Sequence, residues 1–230
     1  MLLRIYKEWD QAILKDHVKN NQDQRYSNIF CLGIPSSINE SKKKIMIIGQ
    51  ESKDFGDYGT WAIDEIFRWT GEYVDRQVHD VDNGLEYNRS PFWNLFRRLN
   101  ESNYDLVWNN VDKVHKIVNG KTQVLSINDE KELNRKFGDQ NNTLLHYEIS
   151  LIKPDAIIFV TGPNYSFTMA SSLGIDEKIL KENRPNLKNE TVKLDILDIP
   201  VYWTYHPAYL TRRRIFETSI TKLQRELNSL

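Results

Sequence analysis

Glu51, His206 and the adjacent pair Asn109-Asn110 are residue types able to manage charge at a breaking bond. A carboxylate stabilises a developing cation and orients a water, and a neutral imidazole donates to an oxygen that is gaining negative charge. An amide side chain carries both a donor and an acceptor, the combination needed to read the polar edge of a planar ligand; Gln50, next to Glu51, offers the same pair. Each residue also has an ordinary structural use, Glu51 as a carboxylate in a helix first turn, His206 as a satisfied histidine, and the asparagines as caps or turns. What distinguishes them is position, because each stands at the end of an apolar run.

Those runs are Ile45–Ile48, Tyr104–Trp108, Ala156–Val160 and Val201–Tyr205. They are short and rich in β-branched and aromatic residues, and are read as strands. Helical patterns lie between and after them, notably at Pro91–Leu99, Leu144–Ile152 and Ile215–Leu227. Strands alternating with helices imply right-handed crossovers, so the expected class is α/β, a single domain over residues 1–230 with a central, mostly parallel four-stranded sheet flanked by helices. In such a sheet ligands bind beyond the carboxyl ends of the strands. The residues found there are Gly49-Gln50-Glu51-Ser52, Asn109-Asn110-Val111-Asp112-Lys113, Thr161-Gly162-Pro163-Asn164 and His206-Pro207-Ala208-Tyr209. Side chains alternate along a strand, so only one of Asn109 and Asn110 can enter a shared crevice. Asn119-Gly120, between the apolar runs of Lys116–Val124, predicts a small inserted β-hairpin. The polar stretch from Ser126 to Asn142 is expected to be a surface excursion.

Composition narrows the chemistry. One cysteine, Cys31, allows neither an internal disulfide nor an all-cysteine zinc or iron–sulfur site. His17, His79, His115 and His146 are read as structural, no histidine pair has the spacing of a helix-borne zinc site, and no metal or cofactor is expected. Gly-rich phosphate loops and nucleophile elbows are missing as well. Met1–Trp9 mixes Arg4, Lys7 and Glu8 into its apolar residues, so neither a leader nor a membrane span is expected, and an intracellular location follows. The net charge is −1, from 31 basic and 32 acidic residues. Charge alone therefore gives no sign of nucleic acid. Locally the balance shifts, since Arg212, Arg213, Arg214, Lys222 and Arg225 follow His206 against only Glu217 and Glu226.

Over roughly residues 45 to 215 the chain resembles the uracil-DNA glycosylase superfamily. Gly49-Gln50-Glu51-Ser52 is similar to the family's Gly-Gln-Asp-Pro-type motif, Asn109-Asn110 to its strand-end Asn, Ile157–Gly162 to its apolar strand ending in glycine, and His206-Pro207-Ala208 to its His-Pro-Ser-type motif, in the family's order. Glu51, Ser52 and Ala208 depart from the usual residues, which bears on which base is taken. The cluster-bearing branches need four cysteines and do not apply.

The resemblance implies a monomeric DNA glycosylase that flips an altered base out of DNA and hydrolyses its N-glycosidic bond without metal or cofactor. Glu51 would orient the water and face the cationic sugar, and His206 would donate to the departing base. Gln50 and one of Asn109 and Asn110 would read the base; Lys113, three residues on, matches a family spacing that favours Asn110. An aromatic platform would come from Phe55 or Trp61, with Tyr58, Phe67 and Trp69 also near. Tyr209 or Leu210 would wedge into the duplex, with Arg212, Arg213 and Arg214 on phosphates and Ser90, at a helix start, on the backbone. Two other classes compete: a modified-base-binding protein with weak or lost catalysis, and a nucleoside or nucleotide N-glycosidase. In a bacterium the location implied is the cytoplasm, at the nucleoid.

Overall fold

A computed structural model describes residues 1–38, 42–51, 55–78, 88–101 and 104–230. Ser52 and His79 lie outside the described residues. The chain opens with helix α1 (Leu2–Trp9), a π-helical turn (Asp10–Leu14) and α2 (Lys15–Asn20), followed by β1 (Arg25–Tyr26) and β2 (Lys44–Gly49). Helices α3 (Ile63–Val78) and α4 (Pro91–Asn100) lead to β3 (Asp105–Asn110). The hairpin β4 (Lys116–Val118) and β5 (Lys121–Gln123) precedes α5 (Ile127–Leu133), α6 (Leu144–Ile152) and β6 (Ala156–Phe159). Then come α7 (Ser166–Leu173), α8 (Glu177–Glu182), β7 (Thr191–Leu194), β8 (Val201–Thr204), α9 (Pro207–Arg212) and α10 (Phe216–Asn228).

The main sheet runs β3-β2-β6-β8-β7. Its first three pairings are parallel and β7 joins β8 antiparallel. The class is α/β as expected, but the sheet has five strands and is mixed. The extra strand, Thr191–Leu194, is a short edge element, buried at its two ends and open at Lys193, and so lacks the continuous apolar run that marks strands covered on both faces. In β2, β6 and β8 that run is present because helices cover both faces; all their residues but Lys44 are buried.

From β2 the chain passes to β3 on one side and then returns to β6 on the other. That reversal places the natural crevice at the carboxyl end of β2, between it and its two neighbours. Strand β3 extends two residues beyond its apolar run, so Asn109 and Asn110 lie within it, in register with Ile48 and Gly49. α1 packs on α3 and α6, and α4 on α3, α9 and α10.

Two of the connecting segments differ from expectation. The hairpin forms with Asn119 and Gly120 both at positive φ, as an Asn-Gly turn requires, but it pairs through β4 with β1 into a separate three-stranded sheet. The stretch from Ser126 lies mostly at the surface, as expected, but has helical structure and buried anchors of its own. Ser126 and Asp129 form a capping box that starts α5, and Asp129, Glu130 and Leu133 are buried.

Candidate active site

A cleft of about 610 Å³ opens at the carboxyl ends of β2 and β3 and is also lined by His206, just after β8. Gln50, Glu51, Asn110 and His206 all line it, with Ser90, Asn88 and, among the described residues, seven aromatic side chains: Phe55, Trp61, Trp69, Tyr73, Phe92, Trp93 and Trp108. Tyr73, Asn88, Phe92, Trp93 and Trp108 were not singled out from the sequence.

Asn110 enters the cleft and Asn109 does not. Asn109 is 0% exposed and points to the opposite side, where its Nδ2 donates to Glu148 Oε2 at 2.9 Å and its Oδ1 accepts from Lys113 Nζ. The base-reading role expected of Asn109 is therefore corrected, and the reason is strand alternation. Lys113 likewise stays behind the site, bound to Glu148 at 2.7 Å. Tyr6 donates its hydroxyl proton to the same carboxylate and accepts from Leu32 N at 2.8 Å. This buried network holds the end of β3, because Asn109 Oδ1 also accepts the backbone N–H of Asn110 at 2.8 Å.

Gly49 is a spatial requirement. A Cβ there would stand 2.5 Å from Asn110 Oδ1 and 3.1 Å from the Phe92 ring, so the amide reaches the cleft only because residue 49 has no side chain. Gln50 is partly committed elsewhere: its Nε2 donates to the carbonyl of Thr161 at 2.7 Å and ties the end of β2 to the end of β6. Its residual capacity faces the cleft and a neighbouring recess of about 310 Å³, whose lining includes Gly162, Tyr165, Tyr205, His206, Tyr209 and Arg212. Gly162 turns the chain at φ +75° after β6, a conformation that favours glycine.

His206 is the N-cap of α9, and its Nδ1 accepts the backbone N–H of Ala208 at 3.2 Å. In the neutral ring the proton is thereby assigned to Nε2, leaving that nitrogen as the donor. The ring lies nearly parallel to Phe92, 17° between planes at 6.4 Å.

Behind Glu51 sits a pair of buried carboxyl groups. Burial, reinforced by the charges of Glu130 and Glu51, pushes Asp112 well above the usual carboxylate range; Glu130 is also raised, chiefly by burial. The charge of Glu130 opposes ionisation of Asp112, so the two buried carboxyl groups disfavour being charged together. Glu130 is further held by Asn134 Nδ2 at 2.9 Å and Thr168 Oγ1 at 3.2 Å. The Tyr165 hydroxyl is raised above its ordinary value, first by burial and then by Glu51 and Asp112.

Phe55 is buried and meets Trp61 and Trp69 edge-on, whereas Trp61 is 44% exposed at the rim. Phe67 and Tyr58 belong to the packing, Phe67 against Tyr6 and Tyr58 through its hydroxyl to Asp10 at 2.8 Å. Ser90 caps α4 by accepting from Trp93 N at 3.5 Å. Tyr209 stacks on Tyr205 at 4.5 Å and 18°, and Arg212, Arg213 and Arg214 are exposed. Leu210 is 2% exposed. Its apolar side chain packs inward from α9, so the wedge expected of Leu210 is corrected and Tyr209 is left as the candidate.

His17 and His115 are buried, with His17 Nδ1 2.6 Å from Glu132 and its Nε2 3.1 Å from the Tyr26 hydroxyl. Burial and the nearby Lys136 lower His146. Among the described residues no group of His, Cys, Asp and Glu is arranged to hold a metal ion, and no helix is long and apolar enough to cross a membrane. No protein-family model and no curated protein matches the chain.

Proposed function

We propose that the chain is a monofunctional DNA glycosylase of the uracil-DNA glycosylase type, hydrolysing the N-glycosidic bond of a flipped altered base. The observation that carries this reading is the convergence of Glu51, Asn110 and His206, from three separate parts of the chain, on one aromatic-walled cleft at the switch point of a parallel sheet. The four parallel strands β3-β2-β6-β8 are the part of the sheet that the reading uses.

The chemistry assigns a task to each group. The base enters between aromatic rings and Asn110 hydrogen-bonds to its edge. As the C1′–N bond breaks, its electron pair leaves with the base, and the Nε2–H of His206 donates to the base oxygen on which charge accumulates. Glu51 faces the cationic sugar and orients a water whose oxygen bonds to C1′. The water gives up one proton, the base anion takes one up, and the products are a free base and an abasic sugar.

The test is incubation of the protein with oligonucleotides that each carry one altered base, followed by alkaline cleavage. Strand breaks at one or more of these bases are expected. Failure of the parent protein to generate an abasic site in any member of a broad panel would remove the reading.

A further inference from the structure

We infer that the cleft takes a base larger than a bare pyrimidine: a purine, or a pyrimidine extended by a ring-sized polar group. The inference rests on the glycosylase reading and deepens it. Clefts of about 300–1,000 Å³ enclose ligands of drug size. At about 610 Å³ this one lies in the middle of that range and far exceeds the volume of a single six-membered ring.

The arrangement of the wall points the same way. Aromatic rings follow one another in contact from the mouth to the imidazole. Trp61 lies 6.4 Å from Trp69, Trp69 stacks on Tyr73 at 5.0 Å and 23°, and Tyr73 is 5.9 Å from Trp108. Trp108 is 6.2 Å from Phe92, which lies against His206. A bare pyrimidine held by Asn110 and His206 covers one or two of these rings and leaves the Trp69–Tyr73 end facing water, so that apolar area gains nothing from binding. A second ring beyond the first covers it.

The far end is also polar. Ser90 N donates to Asn88 Oδ1 at 2.9 Å, and Asn88 Nδ2 lies 3.5 Å from the Tyr73 hydroxyl. Flat rings beside an amide and hydroxyls suit an extension that can both stack and hydrogen-bond, as a purine edge or a sugar-like substituent does and a hydrocarbon does not.

Affinity decides the question independently of catalysis. Oligonucleotides identical except at one nucleotide are prepared with 2′-fluoro sugars, which resist hydrolysis, bearing uracil, hypoxanthine or a cytosine with a hexosyloxymethyl group at C5. Tighter binding of at least one extended base over uracil by about 10-fold is expected, the scale of one added base–aromatic stack. The two extended arms separate a purine from a substituted pyrimidine. Trp69→Ala should abolish most of that preference, Trp69→Phe should restore it, and melting temperatures of both variants establish that they are folded. Uracil bound as tightly as both extended bases overturns the inference, even where the hydrolysable uracil substrate is cut. Tighter binding of an extended base when no hydrolysable oligonucleotide of the panel is cut upholds the inference and removes the catalytic reading instead.

Discussion

The backbone N–H of Asn110 donates to the side-chain oxygen of Asn109 across 2.8 Å, so the residue that enters the cleft is held by its neighbour on the other face of the sheet. Asn109 is in turn fixed by Lys113 and Glu148. The placement of Asn110 thus depends on a buried ion pair that no ligand in the cleft would touch.

Breaking that pair should cost stability. Glu148→Ala leaves the Lys113 ammonium buried without its carboxylate, and urea denaturation should show a loss of about 3–5 kcal/mol. Tyr6→Phe removes two hydrogen bonds, to Glu148 and from Leu32 N, but strands no charge and should cost less, about 1–3 kcal/mol. Equal losses in the two variants would show that the charge pair is not the main support.

Replacement of the two proposed catalytic groups should act on rate and leave folding nearly unchanged. Glu51→Gln keeps the shape and removes the charge facing the sugar, while His206→Ala removes the Nε2 donor. Each should lower single-turnover excision by at least ~100-fold with little change in melting temperature. Excision at the parental rate in both would refute the assignment.

The three consecutive arginines should appear in salt dependence. All of Arg212, Arg213 and Arg214 are exposed, and replacing them together by Ala should reduce the slope of log affinity against log salt by about 0.9 for each duplex phosphate that is no longer neutralised. An unaltered slope would mean that these side chains are merely solvated.

Asp112 gives stability a pH dependence of known sign. Its value in the folded protein lies well above the ordinary 3.8 because it is buried, with Glu130 and Glu51 opposing its charge and Lys113 favouring it. The folded state therefore holds the proton more tightly than the unfolded chain. That contribution is complete below about pH 4 and is lost as pH rises through the folded value. Asp112→Asn does not titrate, so the melting temperature of the variant relative to the parent should rise from about pH 4 to the folded value of Asp112 and level off above it. A constant difference would mean that Asp112 binds its proton equally well in the folded and unfolded chain.

The elements that carry these residues were largely readable from local pattern. All four apolar runs became sheet strands, and the helix Leu144–Ile152 has the expected bounds. Strand β7 was not, because Thr191-Val192-Lys193-Leu194 alternates and lies at an edge, where burial on one face leaves a weak signal. Helix α5 was hidden for another reason: its polar composition masks buried Asp129 and Glu130, whose hydrogen bonds come from distant segments. At the site, alternation separated Asn109 from Asn110 but could not say which faced the cleft. Nothing in the sequence marked Trp108, Phe92 and Trp93 for the site; they pack against one another while also lining the cleft, a dual use that only tertiary contact reveals. Leu210 shows the converse, since its burial is set by α9 packing and not by the polar sequence around it.

Strand β2 is bonded along both edges, to β3 and to β6, and ends in the floor of the cleft. Its amides donate alternately into the two ladders at the buried centre of the sheet, so their protection should approach that of the whole molecule. The floor then behaves as a fixed template, and accommodation falls to the rim, where Trp61 stands partly in water. A ligand that does not match Asn110 and His206 as they stand has no softer geometry of the floor to select.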